Sequence, residues 1–263
     1  MPAPVITFLS DYGLADEFVG VCHAVIARVC PRARVIDLTH GIPRHDVRAG
    51  ALALADALAY LPVGVHLAVV DPGVGSARRA IALRCADGRR FVGPDNGLLS
   101  VAARAAGGIE EAVDIGDSRF CLRPVSATFH GRDIFAPVAA ALASGATLPD
   151  AGEPCDPASV AALELPAAGV RDGVLISHVR YVDGFGNVGL DARGGLDAAA
   201  VVVALPDGSE HRARRARAFA DGEPGELLLY EDARSRLALA VCDGDAAALL
   251  GVAADDELRI RPA

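Results

Sequence analysis

The first 150 residues alternate short apolar runs with stretches whose apolar residues recur at helical spacing. Residues 5–10 (VITFLS) predict a buried strand, and residues 65–70 (VHLAVV) are nearly all apolar, as in a strand that is covered on both faces of a sheet. In the next stretch apolar side chains recur every three or four residues, the pattern of an amphipathic helix: Phe18, Val21, Cys22, Val25, Ile26 and Val29. The same alternation predicts further strands at 35–39, 65–70, 81–83 and 91–92 and helices at 46–61, 98–105 and 134–143. It indicates a layered, Rossmann-like α/β domain with a largely parallel sheet.

The pattern changes after residue 150. The segment 152–169 is rich in Pro, Ala and Gly and is predicted to be a linker. Beyond it, short apolar runs separated by turn residues predict strands at 174–182, 201–205, 226–230, 237–241 and 257–260, with a helix at 246–250. This spacing is typical of a small β-barrel or sandwich. We therefore predict an α/β domain over residues 1–165 and a β-barrel domain over residues 170–263.

Charge and composition exclude several classes of function. The formal net charge is −9, which argues against a nucleic-acid or anionic-membrane partner. All 25 basic residues are Arg, so the chain has no Lys. Schiff-base enzymes, pyridoxal phosphate enzymes and Walker A loops each need that amine and are excluded.

The same sequence predicts a cytoplasmic, reducing location. Its N-terminus has no basic region before an apolar run, as a signal sequence would have. No stretch approaches the ~20 apolar residues that a membrane-spanning helix needs. Six cysteines are scattered without a CxxC pair, so we expect free thiols rather than a disulfide framework.

Polar clusters follow the predicted strands. They stand at 10–13 (SDYG), 37–40 (DLTH), 44–46 (RHD) and 71–75 (DPGVG), and a further cluster at 128–133 (TFHGRD) precedes a predicted helix. A single Asp at the end of a strand usually caps a helix or makes a turn. Several such clusters in one domain instead predict a shared site for a small-molecule ligand, because ligands bind beyond the carboxyl ends of parallel strands.

Two phosphate-loop look-alikes and a metal site are weaker hypotheses. Gly184, Gly186 and Gly189 match GxGxxG, but no helix pattern follows, so we interpret them as a turn. Residues 69–77 resemble the Gly-rich turn of Rossmann methyltransferases. However, the residues that follow predict a strand and not the helix that such a turn requires. Asp11 and Asp16 offer too few carboxylates for calcium, and Asp16 is better placed as the cap of the first helix. The histidines have no zinc-binding spacing, so we predict no metal.

Six motifs in fixed order carry a specific resemblance. They are 10–13 (SDYG), 37–40 (DLTH), 70–75 (VDPGVG), 94–99 (PDNGLL), 128–133 (TFHGRD) and 183–187 (DGFGN). Through them nearly the whole chain closely resembles the S-adenosyl-L-methionine hydroxide adenosyltransferases. These are adenosine-forming S-adenosylmethionine hydrolases, related to the fluorinases and chlorinases.

The resemblance implies a catalytic set of Asp71, Arg78 and His130. Without it, Asp71 would be interpreted as a turn residue and His130 as a hydrogen-bonded core histidine. Water or hydroxide would attack the ribose 5′ carbon of S-adenosylmethionine, and either Asp71 or His130 would accept the proton. No cofactor is implied, since S-adenosylmethionine is the substrate.

The resemblance also implies substrate contacts. Asp11 would bind the ribose hydroxyls and Asp183 the methionine amino group, while Asn187 would contact the adenine and Phe185 and Phe219 would pack against it. In the family, the ligand lies between the N-terminal domain of one subunit and the C-terminal domain of its neighbour in a homotrimer.

Departures from the family pattern bear on specificity. Halogenating relatives carry a small hydroxyl residue where Gly131 stands and lack an acid at the position of Asp71, so halogenation is disfavoured. The usual Asn-Ser pair near the C-terminus is replaced by Asp232 and Ala233, which leaves Arg234 as the candidate for the methionine carboxylate. The alternatives are a halogenase, a methyltransferase and a non-catalytic module that binds adenosine or S-adenosylmethionine.

Overall fold

A computed structural model describes residues 3–194 and 196–263 of the chain. The chain divides into two compact units, Met1–Leu163 and Glu164–Ala263. Within the described residues, no helix is both long enough and apolar enough to cross a membrane.

Seven strands form the sheet of the first unit: β1 (Val5–Ser10), β2 (Arg34–Thr39), β3 (Val65–Val69), β4 (Ala80–Cys85), β5 (Arg90–Pro94), β6 (Ile109–Asp114) and β7 (Glu153–Cys155). Their order across the sheet is β2-β1-β3-β5-β4-β6-β7. Strands β2, β1, β3 and β5 pair in parallel, whereas β4 is antiparallel to both of its neighbours and β7 is antiparallel to β6. The predicted α/β class is confirmed, with parallel pairing concentrated in the first half of the sheet.

Helices cover both faces of this sheet: α1 (Phe18–Val29), α2 (Val47–Ala57), α3 (Ser100–Ala105), α4 (Ala136–Ala143) and the short α5 (Leu148–Ala151). Consecutive residues of a strand point to opposite faces, so Phe8 and Leu9 of β1 belong to different cores. Phe8 packs with residues of α1 and α4, and Leu9 packs with residues of α2 and α3. Asp46 caps α2 by accepting a hydrogen bond from the Ala49 amide at 2.8 Å.

The segment that we predicted as a linker is partly built into the first unit. Its first residues form β7, which pairs with β6 at the edge of the sheet. Further along, the amide of Ala161 donates to Asp95 and Arg79 donates to the hydroxyl of Ser159. A composition rich in Pro and Ala suggested a linker, but these polar contacts hold the segment against the α/β unit.

The second unit is a closed barrel, as predicted. Its strands are β8 (Gly169–Arg171), β9 (Val174–Val182), β10 (Val188–Leu190), β11 (Ala200–Ala204), β12 (Glu210–Arg215), β13 (Leu227–Glu231), β14 (Leu237–Val241) and β15 (Glu257–Pro262). Seven of them close a ring because β10 pairs with β14 on one side and with β9 on the other, while β8 extends β9 outside the ring. The interior is apolar, and helix α6 (Ala246–Leu250) contributes Leu250 to it.

Candidate active site

A cavity of about 400 Å³ opens at the carboxyl ends of the parallel strands of the first unit. Strand β1 leads into Asp11 and Tyr12, and β3 leads through Val70 into Asp71. His130 lies on the same wall, at the start of a π-helical turn (Gly131–Phe135) that continues into α4. The fold therefore brings together residues of the predicted clusters at 10–13, 44–46, 71–75 and 128–133, whereas the cluster at 37–40 contributes no residue to the lining.

Asp71, Arg78 and His130 form one hydrogen-bonded set. The Nε atom of Arg78 donates to Asp71 Oδ1 at 2.8 Å, and a terminal guanidinium nitrogen donates to Asp71 Oδ2. The same terminal nitrogen contacts His130 Nδ1 at 2.8 Å. The side chains of Asp71 and Arg78 are only 6% and 10% exposed, so the ion pair is shielded from solvent.

The pairing with Arg78 fixes the protonation of His130. An arginine has only donors, so His130 Nδ1 must accept and its ring hydrogen must lie on Nε2. Burial and the charge of Arg78 both lower the pKa of His130 below its ordinary value. The imidazole is therefore neutral at neutral pH and presents only an N–H group at Nε2.

The loop of residues 71–78 folds back on itself, so that the side chain of Arg78 reaches Asp71. The amide of Val74 donates to the carbonyl of Asp71, and the hydroxyl of Ser76 donates to the carbonyl of Gly73 at 2.6 Å. Gly75 adopts a φ of +76°, and a Cβ atom there would overlap the carbonyl of Ala127. Only Gly allows this left-handed close approach without strain. The loop thereby packs against the segment that leads to His130.

Asp11 and Asp16 both line the cavity. Asp11 Oδ2 accepts a hydrogen bond from the backbone amide of His45 at 2.9 Å. The interpretation of Asp16 as the cap of the first helix is wrong. Helix α1 begins at Phe18 after Glu17, which makes no side-chain capping bond, and Asp16 lies on the cavity wall instead.

Tyr12 is a residue of this site to which the sequence assigned no role of its own. Burial raises the pKa of Tyr12 well above its ordinary value, so its hydroxyl stays protonated. Its ring packs edge-on against Phe18 and Phe129 with centroids 6.0 and 5.8 Å away. The aromatic residue in the SDYG motif was the available signal, but its contact with Phe129 joins segments far apart in sequence.

A second pocket, of about 720 Å³, lies on the barrel unit. It is lined by Phe185, Asn187 and Phe219, three of the predicted substrate-binding residues. Phe185 is 84% exposed and Phe219 is 49% exposed, which is unusual for aromatic side chains that serve only packing. Phe219 also packs edge-on against Tyr230, with ring centroids 5.0 Å apart.

Asp183 and Arg234 make contacts within the barrel. Asp183 Oδ1 accepts from the amides of Phe185 and Asn187, and its Oδ2 accepts from the side-chain amide of Asn187. It thus shapes the turn between β9 and β10, which is the turn we predicted at the GxGxxG look-alike. Arg234 donates to the Tyr181 hydroxyl at 2.6 Å and lies over the ring of Tyr181. Their contacts with methionine stay predictions.

Both units of the chain match known domain families. Residues 6–152 match the model of the SAM hydroxide adenosyltransferase N-terminal domain, and residues 177–259 match that of the C-terminal domain. The chain belongs to the SAM hydroxide adenosyltransferase family. The two matched ranges lie in the α/β unit and the barrel unit, respectively.

Named relatives are similar to this protein over nearly the whole chain. The (R)-S-adenosyl-L-methionine hydrolase of Salinispora tropica is 51% identical over 98% of both chains. The enzyme of the same name from Thermus thermophilus is 38% identical over 94% of this chain and 95% of its own. A fluorinase from an Actinoplanes species is more distant, at 27% identity over 91% and 92%.

A solved structure supports the same relationship. The crystal structure of an uncharacterized conserved protein from Thermotoga maritima superposes with a TM-score of 0.91 at 38% identity. The match covers 97% of this chain and 99% of that one. Both units of this chain therefore have counterparts in a solved structure.

One further cluster lies beside the SDYG loop: two residues of the predicted 37–40 cluster meet His23, a contact that was not predicted. His23, Asp37 and His40 converge from α1, β2 and the residue after β2. Their sequence spacing matches no metal-binding motif, and only the packing of α1 against the sheet brings them together.

Proposed function

We propose that this chain hydrolyses (R)-S-adenosyl-L-methionine to adenosine and L-methionine. The observation that carries the proposal is the shielded Asp71–Arg78–His130 set in the cavity of a chain that belongs to this family. Water attacks the ribose 5′ carbon in line with the bond to sulfur. Because the sulfonium already carries the positive charge, methionine leaves as a neutral thioether and needs no general acid.

Activation of water is the difficult step, since its pKa is about 15.7 in bulk. Arg78 already donates to Nδ1 of His130. The Nε2–H group of His130 therefore donates a hydrogen bond to the water and orients it. Asp71 lines the cavity, and each of its oxygens keeps a lone pair beyond its bond to Arg78, so we assign it as the acceptor of the water proton. Arg78 offsets the negative charge that develops on the attacking oxygen.

The substrate contacts follow from the two pockets. Asp11, with one oxygen held by the His45 amide, binds the ribose hydroxyls. Phe185 and Phe219 stack on the adenine and Asn187 contacts its polar edge. Asp183 binds the methionine ammonium and Arg234 its carboxylate.

The assembly is part of the same proposal. The cavity of the α/β unit supplies polar groups for chemistry, and the pocket of the barrel supplies aromatic faces for a base. We infer that the two meet between neighbouring subunits of a homotrimer. The enzyme would act in the cytoplasm and without a cofactor, so that EDTA leaves turnover unchanged.

Product analysis by mass spectrometry tests the reaction. Purified protein incubated with S-adenosylmethionine is expected to release adenosine and methionine in equal amounts. S-adenosylhomocysteine would indicate methyl transfer, and a 5′-halogenated adenosine in high chloride or fluoride would indicate halogenation. Binding of S-adenosylmethionine without turnover would indicate a non-catalytic module.

A further inference from the structure

Two histidines and a carboxylate meet outside the catalytic cavity. His23 Nε2 lies 2.9 Å from Asp37 Oδ1, and His40 Nε2 lies 3.1 Å from the same oxygen. One ligand atom from each residue lies within 4.8 Å of the others. The contact of His23 with Asp37 is a hydrogen bond, and the three ligand atoms lie close enough together for one ion to replace the hydrogen on His23 Nε2.

His40 is the buried member, and its Nε2 atom has no hydrogen-bond partner. Its side chain is 3% exposed, and Asp37 approaches Nε2 without the alignment of a hydrogen bond. Burying a polar atom without a hydrogen-bond partner destabilises a fold, so its presence calls for a physical reason.

The other nitrogen of His40 limits the possibilities. His40 Nδ1 lies 2.7 Å from the hydroxyl oxygen of Ser10. If Nδ1 donates to Ser10, the lone pair of Nε2 faces a carboxylate oxygen and the two repel. If Ser10 donates to Nδ1, the Nε2 hydrogen is buried without an aligned acceptor. A cation between Nε2 and Asp37 relieves the first arrangement and satisfies both atoms.

The spacing fits a small transition-metal ion. Ligand atoms at about 2.0–2.1 Å from a tetrahedral metal stand about 3.3 Å from one another. The two measured separations from Asp37 Oδ1, 2.9 and 3.1 Å, need only a small expansion to reach that value. The contact between Ser10 and His40 Nδ1 is the kind of outer bond that orients a metal-binding imidazole.

We propose that His23, Asp37 and His40 form a binding site for a divalent transition-metal ion such as Zn²⁺. Imidazole nitrogens with one carboxylate favour Zn²⁺, Co²⁺ or Ni²⁺ over Ca²⁺ and Mg²⁺, which prefer all-oxygen ligands. The side chains of His23 and Asp37 are 34% and 43% exposed, so the ion enters from solvent and keeps a water-occupied fourth position.

The site is structural and stands apart from the proposed reaction. The backbone carbonyl of His40 accepts from the amide of Gly13 at 2.8 Å, so an ion on His40 ties α1 and β2 to the SDYG loop. The ion supplies no group to the catalytic cavity, since the residues that line the cavity do not include its three ligands.

Calorimetric titration of the full-length, chelator-treated protein with Zn²⁺ tests the proposal. Wild type is expected to bind one Zn²⁺ per chain. His23→Gln and Asp37→Asn each remove a partly exposed ligand and are expected to weaken that affinity by at least about tenfold. The matched control is His178→Gln, because His178 forms a His–carboxylate pair with Asp191 on the barrel, at 3.0 Å. This substitution is expected to leave the affinity for Zn²⁺ unchanged.

Cobalt gives a second, independent measurement. Co²⁺ in place of Zn²⁺ is expected to produce the intense visible absorption of a tetrahedral ion, reduced in His23→Gln and Asp37→Asn. Far-UV circular dichroism of each variant checks that it is folded. No binding to wild type, or binding that both folded variants retain unchanged, would overturn the assignment.

Discussion

The hydroxyl of Tyr12 occupies the space that a Cβ atom on Gly131 would need. The ring carbons of Tyr12 also lie within about 3.3 Å of that position, so a side chain at residue 131 displaces the whole ring rather than its tip. Gly131 directly follows His130, and both it and Tyr12 line the cavity. A hydroxyl-bearing side chain at residue 131 therefore cannot be placed unless Tyr12 moves.

We therefore expect Gly131→Ser to lower the turnover of S-adenosylmethionine without creating halogenation. Moving Tyr12 or His130 by about 1 Å is enough to cost about 100-fold in rate. Tyr12→Phe combined with Gly131→Ser removes the nearest clashing atom and should recover part of that loss. Rate measurements on the single and double variants give the coupling between the two sites.

A glycine elsewhere provides the control. Gly20 lies exposed in α1, and a Cβ atom there would have no heavy atom within 4 Å. Gly20→Ala should leave turnover unchanged and raise the free energy of unfolding by about 0.5–1 kcal/mol. If Gly131→Ser behaved like Gly20→Ala, the steric explanation would be wrong.

Asp71→Asn and His130→Ala are expected to lose most hydrolysis while still binding adenosine. The first removes the proposed proton acceptor and the second the group that orients the water, and positioned acid–base groups typically contribute about 10²–10⁴-fold. Rates come from adenosine release and affinities from adenosine titration. Arg79→Lys is the neighbouring control, because Arg79 donates to Asp95 and Ser159 rather than to the catalytic set. Near-normal turnover in both site variants would remove the catalytic assignment.

The pH dependence should show a single acid limb governed by His130. Its pKa is lowered by burial and by Arg78, so the ring is neutral at pH 7 and becomes charged only below its ordinary range near 6.5. Protonation puts a hydrogen on Nδ1, which breaks the bond from Arg78 and places two cations together. We expect kcat/KM to fall as the pH drops through this lowered pKa.

Folding stability should respond in the same direction. Between the lowered pKa of native His130 and the ordinary pKa of the unfolded chain, the unfolded state binds more protons, so this group destabilises the fold as the pH falls. Arg78→Met removes one of the two causes that lower the pKa of His130, so the acid limb of kcat/KM should move to higher pH. An unchanged limb would show that another group controls it.

Sequence reasoning captured what depends on local pattern. Period-2 and period-3.6 spacing located most strands and helices, including α6 and β9 at their observed bounds, because burial imposes those periods. It missed β12, whose sequence EHRARR is charged, since that strand is specified by its barrel neighbours rather than by alternation. Strand pairing across the sheet overrides local preference there.

For the candidate site as well, the sequence identified the residues that have a local signal and missed the contacts between distant segments. Strand ends marked Asp11 and Asp71 because polar residues follow buried runs. The contact of Tyr12 with Gly131 and the cluster of His23 with Asp37 arise between segments far apart in sequence, so spacing carried no signal for them. Geometry also assigned the hydrogen-bonding role of His130 that sequence left open, since only the position of Arg78 shows which ring nitrogen is occupied.

Turnover in ¹⁸O-labelled water is expected to place the label on the 5′ hydroxyl of adenosine and none on methionine. Attack at the 5′ carbon by a water held between Asp71 and His130 must deliver solvent oxygen to that carbon. Cleavage of the glycosidic bond would instead release adenine and label the anomeric carbon of the ribose. High chloride should yield no 5′-chloroadenosine, because the carboxylate of Asp71, shielded from solvent, repels an anion at the position of the water. Mass spectrometry of the nucleoside fraction separates these products, and unlabelled adenosine, free adenine or a chlorinated nucleoside would each contradict a different part of the proposed chemistry.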